Sequence, residues 1–250
     1  MDRWIGRVAV VTGASAGIGE TIASELARYG MKVAALARRL DKLQKLKESC
    51  KDFKGSLEIY KCDVTKEDEI ANTFKAIVNE LGPISVLVNN AGVLKAITLT
   101  DIDQESARCI YETNIIGLVT CTQHAISIMK KHRINDGHII HINSITGHNV
   151  LPSTGTGHYC ATKHAVTSLT ESLKNELSAL NMETRVTSIS PGLVKTYMAD
   201  TLIDYYKHEM PTISTKDVSH CVVFALSMPP NVNVTELTVQ PVKETISSFM

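Results

Sequence analysis

Strand-like and helix-like segments alternate along the whole 250-residue chain, and this rhythm restricts the possible folds more than any other feature. Short apolar runs at Val8–Val11, Val33–Ala37, Leu57–Cys62, Ile84–Val88, Gly137–Ile142, Arg185–Ile189 and Glu236–Val239 read as strands. Between them lie longer amphipathic stretches: Gly17–Tyr29, a charged helix from about Asp41, Lys66–Leu81, Gln104–His132, Gly157–Leu180 and Lys216–Ser227. In the first of these, Ile18, Ile22, Ala23 and Leu26 make one apolar stripe, and Gly30 is placed to end the helix. Asp41 reads as the cap of the second helix, and Gly82-Pro83 stops the third. The strand runs are rich in Val and Ile and do not alternate with polar residues, which is the pattern of parallel strands covered on both faces. The expected architecture is α/β: a single doubly wound, Rossmann-type parallel sheet of about seven strands with helices on both faces. Right-handed crossovers put the strand C-termini on one edge, where ligands bind.

Bulk properties narrow the function classes. Hydrophobic residues make up 44% and charged residues 21%, with 26 basic and 26 acidic side chains cancelling to zero net charge. Such a balance gives no long-range attraction to nucleic acid or an anionic membrane, so neither is expected as a partner. No run approaches the roughly 20 apolar residues of a membrane span. Residues Met1 to Gly6 read as a short lead-in with no room for a signal peptide. The cysteines (Cys50, Cys62, Cys109, Cys121, Cys160 and Cys221) are scattered without a Cys-x-x-Cys pair, which suits free thiols in a reducing compartment, the cytoplasm by expectation.

The first strand runs into Thr12-Gly13-Ala14-Ser15-Ala16-Gly17-Ile18-Gly19 and then a helix. Glycines permit the tight turn and let backbone approach a pyrophosphate, whose charge suits a helix N-terminus. Alone the motif also reads as a tight strand–helix connection, since its spacing is Gly-x-x-x-Gly-x-Gly. The second strand ends Ala37-Arg38-Arg39. An NAD site usually carries an acid there, whereas a basic residue accommodates a 2′-phosphate. Two arginines are unfavourable near a helix N-terminus, and a phosphate would give them a reason. NADP(H) is therefore expected over NAD(H). Asp63, followed by Val64, either accepts a hydrogen bond from an adenine amino group or caps the next helix. Asn90, Ala91 and Gly92 either hold the loop against the adenosine half or form an ordinary turn.

The fifth strand delivers Ser144 at its C-terminal end, and Tyr159 and Lys163 lie four apart near the start of a helix, on one face. Tyrosine titrates near pKa ~10, so serving as a base near neutral pH requires roughly 4 kcal/mol in favour of the anion. A cation ~4 Å away supplies about 1 kcal/mol in water but about 4 at an effective dielectric near 20. The lysine suffices only in a pocket partly closed to solvent, where a positive nicotinamide ring would add to its effect. Ser144 can hold a substrate oxygen against the Tyr159 hydroxyl. The bland alternative is an amphipathic helix with a snorkelling lysine.

Together, Thr12-Gly13-x-x-x-Gly17-x-Gly19, Asn89-Asn90-Ala91-Gly92, Asn114, Ser144, Tyr159-x-x-x-Lys163 and Pro191-Gly192 resemble the pattern of the short-chain dehydrogenase/reductase family over nearly the whole chain. The resemblance implies catalytic roles for Asn114, Ser144, Tyr159 and Lys163, with Asn114 helping to hold a water that connects Lys163 to solvent. It also implies that Lys163 binds the nicotinamide ribose, and that Pro191, Gly192 and the Val194–Thr196 segment contact the nicotinamide end. More narrowly, Met1–Trp4, Ala37-Arg38-Arg39 and Ser144–Lys163 resemble a subgroup of SDR family member 11 proteins and insect farnesol dehydrogenases. That implies an NADP-dependent enzyme acting on a small hydrophobic alcohol or carbonyl, a terpenoid alcohol such as farnesol, or alternatively a 3- or 17-ketosteroid. The family resemblance further implies a homodimer or homotetramer. The interval from Ser144 to Tyr159 is lengthened by the Ser153–Gly157 segment relative to the commonest family pattern. A dinucleotide-binding scaffold without turnover is the competing class, opposed by the intact Ser144, Tyr159 and Lys163 set.

Other signals weigh less. His138 and His141 are three apart on a strand and face opposite sides, and no histidine–carboxylate cluster has zinc-like spacing, so no metal is expected. Cys160 reads as a packing residue. Residues 193–215 carry Tyr197, Met198, Leu202, Ile203, Tyr205, Tyr206 and Met210. They read either as a short helix packed on the core or as a mobile lid over an apolar substrate.

Overall fold

The computed structural model describes residues 1–151, 154–206 and 210–244, with the side chains of 204–206 left out. Seven parallel strands form one sheet: β1 (Val8–Thr12), β2 (Lys32–Ala37), β3 (Ser56–Lys61), β4 (Ile84–Asn89), β5 (His138–Ile142), β6 (Arg185–Pro191) and β7 (Glu236–Val239). Their order is β3-β2-β1-β4-β5-β6-β7. The chain thus winds one way from β1 to β3 and the other way from β4 onward, leaving a crevice between β1 and β4 at the strand C-termini.

The alternate residues of β1 explain the layering. Ala9 and Val11 enter one core with Ile22, Leu26, Leu43 and Val222, from α1 (Gly17–Arg28), α2 (Leu40–Ser49) and α8 (Thr215–Ser227). Val8 and Val10 enter the other with Ile70, Phe74, Ala125 and Leu177, from α3 (Glu67–Glu80), α5 (Gly117–Lys131) and α6 (Gly157–Ala179). Each fully buried Val, Leu or Ile contributes about 1.5–3 kcal/mol. Both faces are needed to bury these strands, as the continuous apolar runs require. Gly30 follows the end of α1 with φ +95°, the left-handed conformation that makes it a helix stop.

Three sequence expectations change in the structure. The short lead-in before β1 is an ordered element: Asp2–Trp4 forms a 3-10 turn whose Trp4 is fully buried, its indole Nε1 donating to the Leu226 carbonyl at 2.8 Å. Arg3 and Arg7 stack on that ring and pair with Asp136, holding its carboxyl down to about 2. Second, α2 starts at Leu40 with Arg39 in the cap position, so Asp41 lies in the first turn, where it still complements the helix dipole. Third, the long helix near 104–132 is interrupted: α4 (Gln104–Tyr111) passes through a π turn, Glu112–Ile116, before α5. One extra residue in a turn barely disturbs apolar periodicity, so the sequence pattern does not reveal it.

Candidate active site

A cleft of about 360 Å³ opens along the strand C-termini. Gly13, Ser15, Ala16, Gly17 and Ile18 line it, as do Arg38, Arg39, Asp63, Val64, Asn90, Ala91, Gly92, Ser144, Tyr159, Lys163, Pro191, Gly192, Val194 and Thr196. Tyr159 and Lys163 come from α6 and the others from the C-terminal ends of six strands, and the fold brings them to one surface. Gly19 and Asn114 do not line the cleft; each supports it from behind.

The glycine loop is shaped by close backbone contact. Gly13 has φ +68°, and a Cβ there would sit 2.8 Å from the Ala91 Cα, so the β1 and β4 loops approach as only glycine allows. Gly19 abuts the Gly13 carbonyl, where a Cβ would come within 2.7 Å. Thr12 ties the loops together: its hydroxyl oxygen accepts from the backbone N–H of Asn90 and of Ala91, both at 3.0 Å. The Asn90 amide donates back to the Thr12 carbonyl at 2.9 Å. At the start of α1, Ala16 takes the cap position and offers no side-chain acceptor. The first N–H groups of that helix are left for an anion, and they border the cleft.

Beyond the loop, Arg39 Nη2 donates to Ser15 Oγ at 2.9 Å, which fixes its guanidinium beside the α1 N-terminus. Arg38 is 64% exposed, with Nη1 4.0 Å from Asp63 Oδ2. Asp63 does not cap α3, whose cap position is Lys66; its Oδ1 accepts instead from the Thr65 N–H and hydroxyl. Arg39, held beside the α1 N-terminus, and the exposed Arg38 give this end of the cleft positive charge that suits a phosphate.

At the other end, β5 and α6 are registered by polar contacts. His141 Nδ1 meets Thr170 Oγ1 at 2.9 Å, and Asn143 Nδ2 donates to Thr167 Oγ1 at 2.9 Å. Lys163 Nζ donates to the Ile142 carbonyl at 2.8 Å. Threonines 167 and 170 continue the Lys163 face of α6, so the ladder fixes helix rotation and with it the aim of Tyr159 and Lys163. Burial lowers the Lys163 ammonium to about 8. Burial raises the Tyr159 hydroxyl well above its usual range, partly offset by a hydrogen bond with Ser144. The lysine Nζ lies 5.6 Å from the Tyr159 ring centre and is drawn to Ile142. In the ligand-free site, therefore, Tyr159 keeps its proton. Burial, and secondarily Lys163, also lowers His141 to about 4, and burial drives His138 down, so both histidines are neutral members of the core.

Asn114 sits in the π turn with its side chain committed: Oδ1 accepts from Val93 N–H at 2.8 Å, and Nδ2 donates to the Val93 carbonyl and to Thr162 Oγ1. It braces the loop after β4 against α6. Cys160 is buried, in keeping with a packing residue. All six cysteines are free.

Beside Ser144 and Tyr159 the cleft wall turns apolar. Ile145, Leu151, Leu193, Ala199, Leu202 and Met210 form a small buried cluster, with Leu94 and Ile203 packed on it. Helix α7 (Tyr197–Tyr206) supplies Ala199 and Leu202, while Tyr197 is 85% exposed. The base of this segment is pinned where it leaves and returns: Lys195 N–H donates to the Ile213 carbonyl at 2.8 Å, and Ile213 N–H to the Leu193 carbonyl at 2.9 Å. Residues Ser153 and 207–209, and the side chains of Tyr205 and Tyr206, lie outside the described part. Sequence reading missed Leu94, Ile145 and Leu151 as wall residues, because isolated apolar residues in loops carry no periodic signal. Thr12 stood in the motif, yet its bracing role needs the β1–β4 pairing to become visible.

A glycine-braced loop at a helix N-terminus at one end of a cleft and a serine–tyrosine–lysine cluster at the other form the arrangement expected of an oxidoreductase of the Rossmann type. The model of the short chain dehydrogenase family matches residues 7–206, and the chain belongs to that family. It is 45% identical to farnesol dehydrogenase of Aedes aegypti over 246 residues, covering 98% of this chain and 99% of that one. It is 40% identical to dehydrogenase/reductase SDR family member 11 of Gallus gallus over 253 residues, covering 98% and 99%. Among solved structures, the closed form of serine dehydrogenase complexed with NADP+ superposes with a TM-score of 0.85 at 32% identity, covering 95% of this chain and 96% of that chain.

Proposed function

We propose that this chain is an NADP(H)-dependent alcohol dehydrogenase or carbonyl reductase that interconverts a hydrophobic alcohol, a terpenoid such as farnesol, with its aldehyde or ketone. The observation that carries the reading is the junction of two environments in one cleft. Ser144, Tyr159 and Lys163 stand at its polar floor, directly beside the wall of Ile145, Leu151, Leu193 and Leu202. Arg38, Arg39 and Ser15 at the far end support NADP(H) over NAD(H). The 45% identical relative named farnesol dehydrogenase supports the substrate class.

In this reading the bound cofactor supplies or takes up the hydride. Ser144 holds the substrate oxygen within reach of the Tyr159 hydroxyl. For carbonyl reduction Tyr159 donates its proton to that oxygen, the role its raised pKa favours in the ligand-free site. For alcohol oxidation it must first be deprotonated, and the Lys163 ammonium stabilises the phenolate. Lys163 also holds the nicotinamide ribose: its ammonium carries three N–H donors, of which the Ile142 carbonyl takes one. Because the Asn114 side chain is spoken for by Val93 and Thr162, its share in a relay water falls to its backbone in the π turn. Val64, Asn90, Ala91 and Gly92 line the adenosine half; Pro191, Gly192, Val194 and Thr196 line the nicotinamide end.

Residues 193–215 act as the lid over the apolar wall, hinged at the Val194–Ile213 bridge. The free cysteines suit the cytoplasm, and among the described residues no helix is long and apolar enough to cross a membrane. The α4–α5 face, with Ile116 and Tyr111 exposed, suits a homodimer or homotetramer. Steady-state rates with NADP+ or NADPH across terpenoid alcohols, aldehydes and ketosteroids test the proposal. It predicts the highest kcat/KM on an apolar terpenoid. Preference for a ketosteroid would reassign the substrate, and NADPH binding without any turnover would indicate a scaffold.

A further inference from the structure

The turn after β6 is held from an unexpected quarter. Gly192 has no positive φ, so its backbone does not call for glycine. Space does: a Cβ at this position would run into the carboxylate of Glu244, from the segment following β7. That carboxylate accepts from Leu193 N–H at 2.7 Å through Oε1 and from Gln240 Nε2 at 2.9 Å through Oε2. Around it, Gly192 N–H donates to the Val239 carbonyl at 2.8 Å, and Glu244 N–H to the Pro241 carbonyl at 2.9 Å.

Leu193 is the point where three parts of the site meet. Its N–H goes to Glu244, its carbonyl accepts from Ile213 at the returning end of the 193–215 segment, and its side chain belongs to the apolar wall. Moving the Leu193 peptide therefore moves the hinge, the wall and the cleft floor formed by Pro191 and Gly192 together.

We infer that Glu244 is a positioning residue: it sets the base of the substrate lid by gripping the Leu193 N–H through the space left by Gly192. The inference rests on the lid reading above. It requires an acceptor at position 244 and no side chain at position 192, and it makes the two positions one unit.

The test uses four variants of the full chain: Glu244→Ala, Glu244→Gln, Gly192→Ala and the Gly192→Ala/Glu244→Ala double. Glutamine retains an acceptor oxygen, so Glu244→Gln stays within about threefold of wild type in KM for the apolar substrate. Glu244→Ala raises that KM about tenfold, as expected for losing a charge-assisted hydrogen bond, with a smaller change in kcat. In Gly192→Ala the new methyl group displaces the flexible Glu244 side chain and gives the same phenotype. The double variant is no worse than either single one, because both remove one contact.

A second readout does not depend on the substrate: tryptic cleavage after the exposed Lys195 in ligand-free enzyme accelerates in Glu244→Ala and Gly192→Ala, and not in Glu244→Gln. Multiplying effects in the double variant, a Glu244→Gln as impaired as Glu244→Ala, or unchanged cleavage would each overturn the inference. If Glu244→Ala does not fold, Gly192→Ala and Glu244→Gln still decide it. Absence of turnover in the wild type with every substrate tried would count against the proposed function, while the cleavage pattern would still report on Glu244.

Discussion

Replacing Lys163 by methionine keeps the apolar stem and removes the charge. Nζ lies 5.6 Å from the Tyr159 ring centre, over which a phenolate spreads its charge. At an effective dielectric near 20, unit charges at that separation attract by about 3 kcal/mol, or about two pK units. The expected consequence in alcohol oxidation is a rising pH limb displaced upward by about two units, with kcat near neutral pH reduced about 100-fold and recovering in base. The assay is the initial rate against pH with NADP+ and alcohol both saturating, so that weakened ribose binding does not mask the shift. In wild type, Lys163 itself titrates near 8 in the free enzyme because burial disfavours its charge. Its charge is full below that pH and lost above it, so kcat/KM for NADP+ declines through about pH 8, a limb absent from Lys163→Met. A variant that loses a constant factor at every pH, with the tyrosine limb in place, would refute the electrostatic argument.

Arg39→Ala is expected to weaken NADPH about 10- to 100-fold with little effect on NADH, because its guanidinium is already oriented by Ser15; Arg38→Ala has the same sign and a smaller size, being exposed and near Asp63. Cofactor titration by fluorescence checks this, and equal losses for both cofactors would remove the 2′-phosphate assignment. Asp136→Asn should cost about 1–2 kcal/mol at neutral pH, discounted for its partial exposure. Arg7 and Arg3 depress this carboxyl to about 2, so its stabilisation is present above the ordinary carboxylate pKa and disappears as pH falls through 2. Urea unfolding at several pH values should show the two proteins converging in acid. Trp4→Ala removes a fully buried ring and should destabilise by about 3–5 kcal/mol, which a free N-terminal lead-in would not.

Much of the fold was legible because periodicity reports burial. Val8, Val10, Ala9 and Val11 are apolar in sequence since the sheet is covered on both sides, and that pattern alone implies parallel strands. That the glycine loop and the Ser144, Tyr159 and Lys163 cluster meet at one cleft was legible because tight turns and helical spacing are local. What stayed hidden depends on contacts distant in sequence. Trp4 looks incidental until Leu226 appears beneath it, and Asp41 looks like a cap until Arg39 is seen bound to Ser15. The π turn at Asn114 is set by the Val93 loop and by Thr162, not by its own periodicity. Glu244 has no local signal at all; it becomes significant only beside Gly192 and Leu193.

The proposed chemistry turns on the Tyr159 hydroxyl, and Tyr159→Phe isolates that one atom while keeping the ring that packs at the cleft floor. NADPH affinity and carbonyl-reduction rate should be measured on the same preparation. Affinity should stay within about threefold of wild type while turnover falls by at least about 100-fold, the usual share of general acid–base catalysis. A phenylalanine variant that turns over at a rate comparable to wild type would contradict it.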